Sequence, residues 1–113
     1  MRTGRRVWRE SHCGDSHSGL EVSRLWFVPH AIKAMARPTP LLMRSEVEAV
    51  VKDGELIEDY PDDARGHSCL LLHAPRGRPV HVVCSPKAEY LAIITAYVPE
   101  PASWSPDFRQ RKR

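Results

Sequence analysis

GRPVHVVCSPKAEYLAIITAYVPEPASW, residues 77–104, decides how this chain is read. Two apolar runs, PVHVVC and YLAIITAYV, are separated by SPKAE, and Pro99 and Pro101 stop the second. Their β-branched and aromatic content predicts two strands. His81 sits inside the first run and Tyr97 near the end of the second. These polar groups either form the wet face of a sheet or line a site. Strict alternation puts Val80, Val82 and Cys84 on one face and His81 on the other. The same rule puts Thr95 and Tyr97 on the face of Leu91 and Ile93. Whether His81 meets Tyr97 depends on strand register, which a one-residue slip would change.

Working toward the N-terminus, SCLLLHA is a further strand, joined to PVHVVC through the turn formers PRGRP as a hairpin. ELIEDY is a short alternating run closed by PDDARG. RSEVEAVVKDGEL carries helical signals: Ser45 as N-cap, Glu46 and Glu48 in the first turn, and Gly54 as the stop. Val47, Val50 and Val51 form its apolar stripe. LWFVPHAIKAMA can begin as a short strand and pass into a helix at Pro29. ARPTPLL breaks that helix, because Pro38 and Pro40 oppose continuation. Helices gathered before strands predict an α+β class: two N-terminal helices packed on a curved, roughly four-stranded antiparallel sheet. Residues 25–108 are expected to be one domain, 1–24 a disordered or mis-assigned extension, and 109–113 a basic tail.

The chain has 113 residues, enough for one core. Its 42% hydrophobic and 27% charged residues argue against global disorder. No apolar run approaches the roughly 18–20 residues that span a bilayer, and no apolar segment follows the basic start. The expected location is cytoplasmic. Lys and Arg total 17 against 14 Asp and Glu, a net charge of +3. Basic residues gather at both ends, whereas Glu46 to Asp63 is acidic. That balance permits an acidic partner such as RNA without demanding one. The 3 cysteines, Cys13, Cys69 and Cys84, form no CxxC pair. This disfavours a disulfide framework or a zinc knuckle. His67, Cys69, His73, His81 and Cys84 match no zinc spacing, so neither metal nor cofactor is expected.

PHAIKAM, SEVEAVVKDGELIEDYPDD, SCLLLHAPRGRPVHVVCSPK and LAIITAYVPEPASWSPDFRQRKR together carry a resemblance. In this order they resemble a family of small prokaryotic domains of unknown function, itself similar to RelE/BrnT-like type II toxins. The resemblance implies a RelE-like fold and the toxin half of a toxin–antitoxin pair. Its implied partner is a small antitoxin, zinc-binding and carrying CxxC motifs. Its implied activity is metal-independent cleavage of RNA, commonly ribosome-bound mRNA. It keeps a histidine at His30, but Ala34 and Pro38 stand where the family carries arginines.

Such cleavage needs a base for the 2′-hydroxyl, cations for the phosphorane charge, and an acid for the leaving oxygen. His81 is the acid/base candidate, because imidazole titrates near neutrality. Tyr97 is placed to orient a nucleotide or donate a proton. Arg76 and Arg78 flank Gly77 and suit a phosphate, and His30 completes the catalytic candidates. Lys87, Arg109, Arg111, Lys112 and Arg113 are candidates for tracking an RNA backbone. Each has a plainer alternative as a packed strand residue, a helix cap or a solvated charge. Two functions therefore stand: a toxin-type ribonuclease, or a non-catalytic module of the same fold that binds an antitoxin-like partner.

Overall fold

The computed structural model describes residues 25–37, 41–64 and 66–112. Residues 1–24, 38–40, 65 and 113 lie outside this description, and with them the N-terminal extension, Pro38 and Arg113. The elements run β1 (Leu25–Phe27), α1 (Pro29–Met35), α2 (Arg44–Asp53), β2 (Glu55–Tyr60), β3 (Ser68–His73), β4 (Val80–Pro86) and β5 (Leu91–Tyr97).

The sheet has five strands in the order β1-β5-β4-β3-β2 and is mixed. This corrects the expectation of two helices on a four-stranded antiparallel sheet. β2 to β5 form an antiparallel meander, while β1 pairs parallel to β5, with Leu25 opposite Leu91 and Phe27 opposite Ile93. The pairing continues as Val28 N–H donates to the Ile93 carbonyl at 3.1 Å. Three residues are too few for a period-2 pattern to declare itself. Leu25 and Phe27 pack against the core, but Trp26 points away and is 62% exposed.

Pro29 starts α1 where no N–H is needed. α2 begins one residue before the expected cap. Met43 occupies the N-cap position, and its N–H donates to Glu46 Oε1 at 3.0 Å, so Ser45 is not the cap. Gly54 ends α2 with ordinary backbone angles, φ −71°. Glycine is needed there for space, since a Cβ would overlap the Val50 carbonyl that accepts the Gly54 N–H. Val47, Val50 and Val51 are fully buried against Cys69, Leu71, Val80, Val82 and Cys84 on one face of the sheet.

Two bulges decide what the opposite face carries. The β2–β3 register shifts between Leu56 and Glu58, and the β4–β5 register shifts so that Val83 faces Thr95 while Cys84 faces Ile93. Ile57 and Ile94 are the extra residues. Each reverses the facing of everything beyond it. Leu56 and Ile93 stay in the core, and Glu58 and Tyr97 turn to the other face. The alternation expected along β5, with Tyr97 on the side of Ile93, therefore fails at Ile94. One cross-strand row on this outer face reads Glu55, Leu72, His81, Tyr97.

Candidate functional site

The outer face is covered by residues 99–112, which return across it as a strap. Trp104 forms an isolated bridge with Arg111, and backbone bonds from Ser105 N–H to Gln110 and from Lys112 N–H to Ser103 close the loop. Trp104 is 4% exposed and packs edge-on against the His81 ring at a centroid distance of 4.3 Å. Two arginines tie the strap to β2. Arg109 donates to both Glu55 carboxylate oxygens at 2.8 Å. Arg111 donates to Glu58 at 3.1 Å and lies over the Trp104 ring. Tyr60 adds its hydroxyl to the same Glu58 carboxylate, and burial pushes the Tyr60 phenol up to about 12. Phe108 holds a left-handed backbone, φ 61°, and its carbonyl lies 2.9 Å from His81 Nε2.

A carbonyl can only accept, so His81 Nε2 carries the hydrogen. Nδ1 is then the acceptor, and the Tyr97 hydroxyl 3.2 Å away donates to it. His81 is fully buried, and burial lowers its pKa to about 4, against the favourable contact with the Phe108 carbonyl. The imidazole is neutral at pH 7. Burial likewise raises the Tyr97 phenol, which stays protonated. His81 thus fixes the direction in which the Tyr97 proton points.

Tyr97 also reaches a cleft of about 310 Å³ lined by Ala34, Arg37, Val98, Pro99, Glu100 and Pro101. His30 and Ala34, four residues apart, share one stripe of α1, and Arg37 lies just beyond its C-cap Ala36. His30 and Arg37 are both exposed.

Among the residues singled out in the sequence, the register brings His81 and Tyr97 face to face. Arg78 is not with them. Its guanidinium donates to both oxygens of the buried Glu46, at 3.0 and 2.9 Å, and to the Leu41 carbonyl. Arg76 is exposed in the β3–β4 turn. Lys87 is half-buried, its Nζ 2.8 Å from where a Cβ on Gly66 would stand. Arg109 and Arg111 are engaged by carboxylates, so these two belong to the folded body rather than a free tail. Lys112 is exposed. Among the described residues no group of three or more His, Cys, Asp or Glu side chains is arranged to hold a metal. Cys69 and Cys84 are buried thiols in the core, their sulfurs 3.8 Å apart. Among the described residues, no helix is long and apolar enough to cross a membrane.

Sequence reasoning missed Arg37, Glu58 and the Phe108 carbonyl. Only Arg37 had a local signal, two helical turns after His30. The others act through distant chain segments.

The family described as domain of unknown function (DUF4258) matches residues 27–98, from the end of β1 through β5. No curated protein and no solved structure matches the chain. The match spans well over half of the sequence, and the chain belongs to this family.

Proposed function

We propose that this member of the DUF4258 family is the toxin component of a toxin–antitoxin-like pair and cleaves RNA without a metal at the Tyr97 cleft. One observation carries this reading. Tyr97, whose hydroxyl is held by a buried neutral imidazole, is one of the residues lining a cleft together with Arg37 and Glu100. A phenol with a fixed proton direction beside a cation suits a ribose-phosphate.

The chemistry follows from those positions. The Tyr97 oxygen, its own proton held toward the neutral His81 Nδ1, accepts a hydrogen bond from the ribose 2′-hydroxyl and orients it, and the 2′-hydroxyl proton leaves to solvent water. The freed 2′-oxygen attacks the adjacent phosphorus. Arg37 offsets the charge that builds on the pentacoordinate phosphorane. The P–O5′ bond breaks, and His30, exposed in the first turn of α1, is the proposed proton donor to the departing 5′-oxygen. The products are a 2′,3′-cyclic phosphate and a 5′-hydroxyl. Arg76 and Lys112 are the exposed cations left from the sequence candidates to meet the RNA backbone beyond the cleft.

A second reading is supported by a different observation. Ala34 lines the cleft where the resemblance carries an arginine, and Arg78, Arg109 and Arg111 are committed to Glu46, Glu55 and Glu58. Three candidate arginines held by carboxylates of the same chain suit a non-catalytic module that binds a small, zinc-binding, antitoxin-like protein.

The two readings separate in one experiment. The purified full chain is incubated with end-labelled mRNA, alone and with translating ribosomes, in the presence of a chelator. Cleavage leaving cyclic-phosphate ends, reduced about a hundredfold or more by Tyr97→Phe, is the expected result. Intact RNA in both reactions removes the ribonuclease reading.

A further inference from the structure

The side of the molecule built by β1, α1 and the start of α2 exposes apolar surface that nothing among the described residues covers. Ile32, Leu41 and Met43 are 56%, 51% and 46% exposed. Ile32 and Leu41 border a groove of about 340 Å³ whose floor is Phe27, Met35 and Leu42. Scattered single apolar residues need no explanation, but a contiguous groove does.

The one charged residue in the groove's lining is basic. It is Arg44, 61% exposed with its guanidinium over the Phe27 ring, and the lining includes no carboxylate. Lys33, beside Ile32 on α1, is exposed. Glu48 is paired with Arg44 in an i,i+4 surface pair, an interaction weak enough to be exchanged. The exposed acidic run Asp59–Asp62 leaves β2, at the opposite edge of the sheet.

We propose that this groove binds an acidic, amphipathic helical segment of another protein. Apolar side chains at i, i+3 or i+4 and i+7 of that segment would enter between Ile32 and Leu41. Its carboxylates would meet Lys33 and take Arg44 from Glu48. The proposal stands apart from the Tyr97 chemistry, because none of these residues lines that cleft.

The test presents the immobilised full chain to a displayed library of random peptides about 16 residues long, enough for four helical turns. Enriched peptides are expected to be net negative with apolar residues at helical spacing. Their binding is expected to fall about tenfold or more on Ile32→Glu and on Leu41→Glu, and severalfold on Lys33→Glu or in high salt. Both apolar positions are half in water, and unchanged melting of each variant verifies the fold. RNA cleavage measured on the same variants is expected to equal wild type, so this proposal and the ribonuclease reading fail separately. Enrichment of basic or unpatterned peptides overturns the proposal, as does binding indifferent to Ile32→Glu and Leu41→Glu. A dimer of the full chain that Leu41→Glu dissolves also overturns it, by giving the groove to a second copy.

Discussion

Replacing Arg78 by alanine is expected to be among the most destabilising changes on the molecular surface. Glu46 is 2% exposed, and three donors hold its carboxylate: the Arg78 Nε and Nη2 groups and the Met43 N–H. Arg78→Ala removes two of the three and leaves a buried charge with one backbone donor. Breaking a buried ion pair costs about 3–5 kcal/mol. The Arg78 side chain is 37% exposed, so solvent screens part of that, and about 2–3 kcal/mol is the working figure. For a domain of this size that lowers the melting temperature by roughly 10–20 °C. Arg78 holds the Glu46 carboxyl below its ordinary pKa. The stabilisation is therefore fully present above the unfolded value of about 4.5 and lost as pH falls through the lower folded value. Thermal melts of wild type and Arg78→Ala at pH 7 and pH 3 measure both effects, with the gap largest at pH 7. Glu46→Gln/Arg78→Met should recover much of the loss. A shift under about 3 °C at pH 7, or a gap that widens in acid, would refute the reasoning.

Three further outcomes are expected. His81 has its pKa depressed to about 4 by burial, against 6.5 ordinarily, so its neutral form contributes stability above pH 6.5 that declines as pH falls toward 4. The shift sets that loss at about 3 kcal/mol, and urea unfolding should show this slope in wild type and not in His81→Leu. Trp104→Ala should cost about 3–5 kcal/mol and loosen the strap, read as new protease cleavage within residues 99–112 while β2–β5 resist. Gly77, at φ +84° with open space where a Cβ would stand, should lose about 1 kcal/mol on Gly77→Ala, and Gly77→Asn should lose less; equal melting temperatures for both and wild type would contradict this.

Much of the local structure can be read from residue order. The Val47, Val50, Val51 stripe announces α2, and the apolar runs ending in Pro, Gly and Asp clusters announce β2 to β5. The architecture could not be read this way. LWF is too short to show a period, and its parallel partner lies at the other end of the domain. The two bulges break alternation at Ile57 and Ile94, residues that look like any other strand isoleucine. Had alternation held, Glu58 and Tyr97 would have faced the core. The same limit governs the candidate site. His81 and Tyr97 stood out because each is polar within or at the end of an apolar run. Arg78, Arg109 and Arg111 looked available because their carboxylate partners are 32 to 54 residues away. Charge on a loop says nothing of the acid it will fold against.

The parallel seat of β1 has a consequence for how the molecule assembles. β2 to β5 join neighbour to neighbour through short turns, so each hairpin closes a small loop at modest entropic cost. β1 has no partner until β5 is in place, since Leu25 rests on Leu91 and Phe27 on Ile93. The first strand of the sheet is thus the last to dock. It brings the chain its longest-range pairing, the kind that slows folding most. The same three residues should be the first to let go, exposing their amide hydrogens to exchange while the meander stays protected.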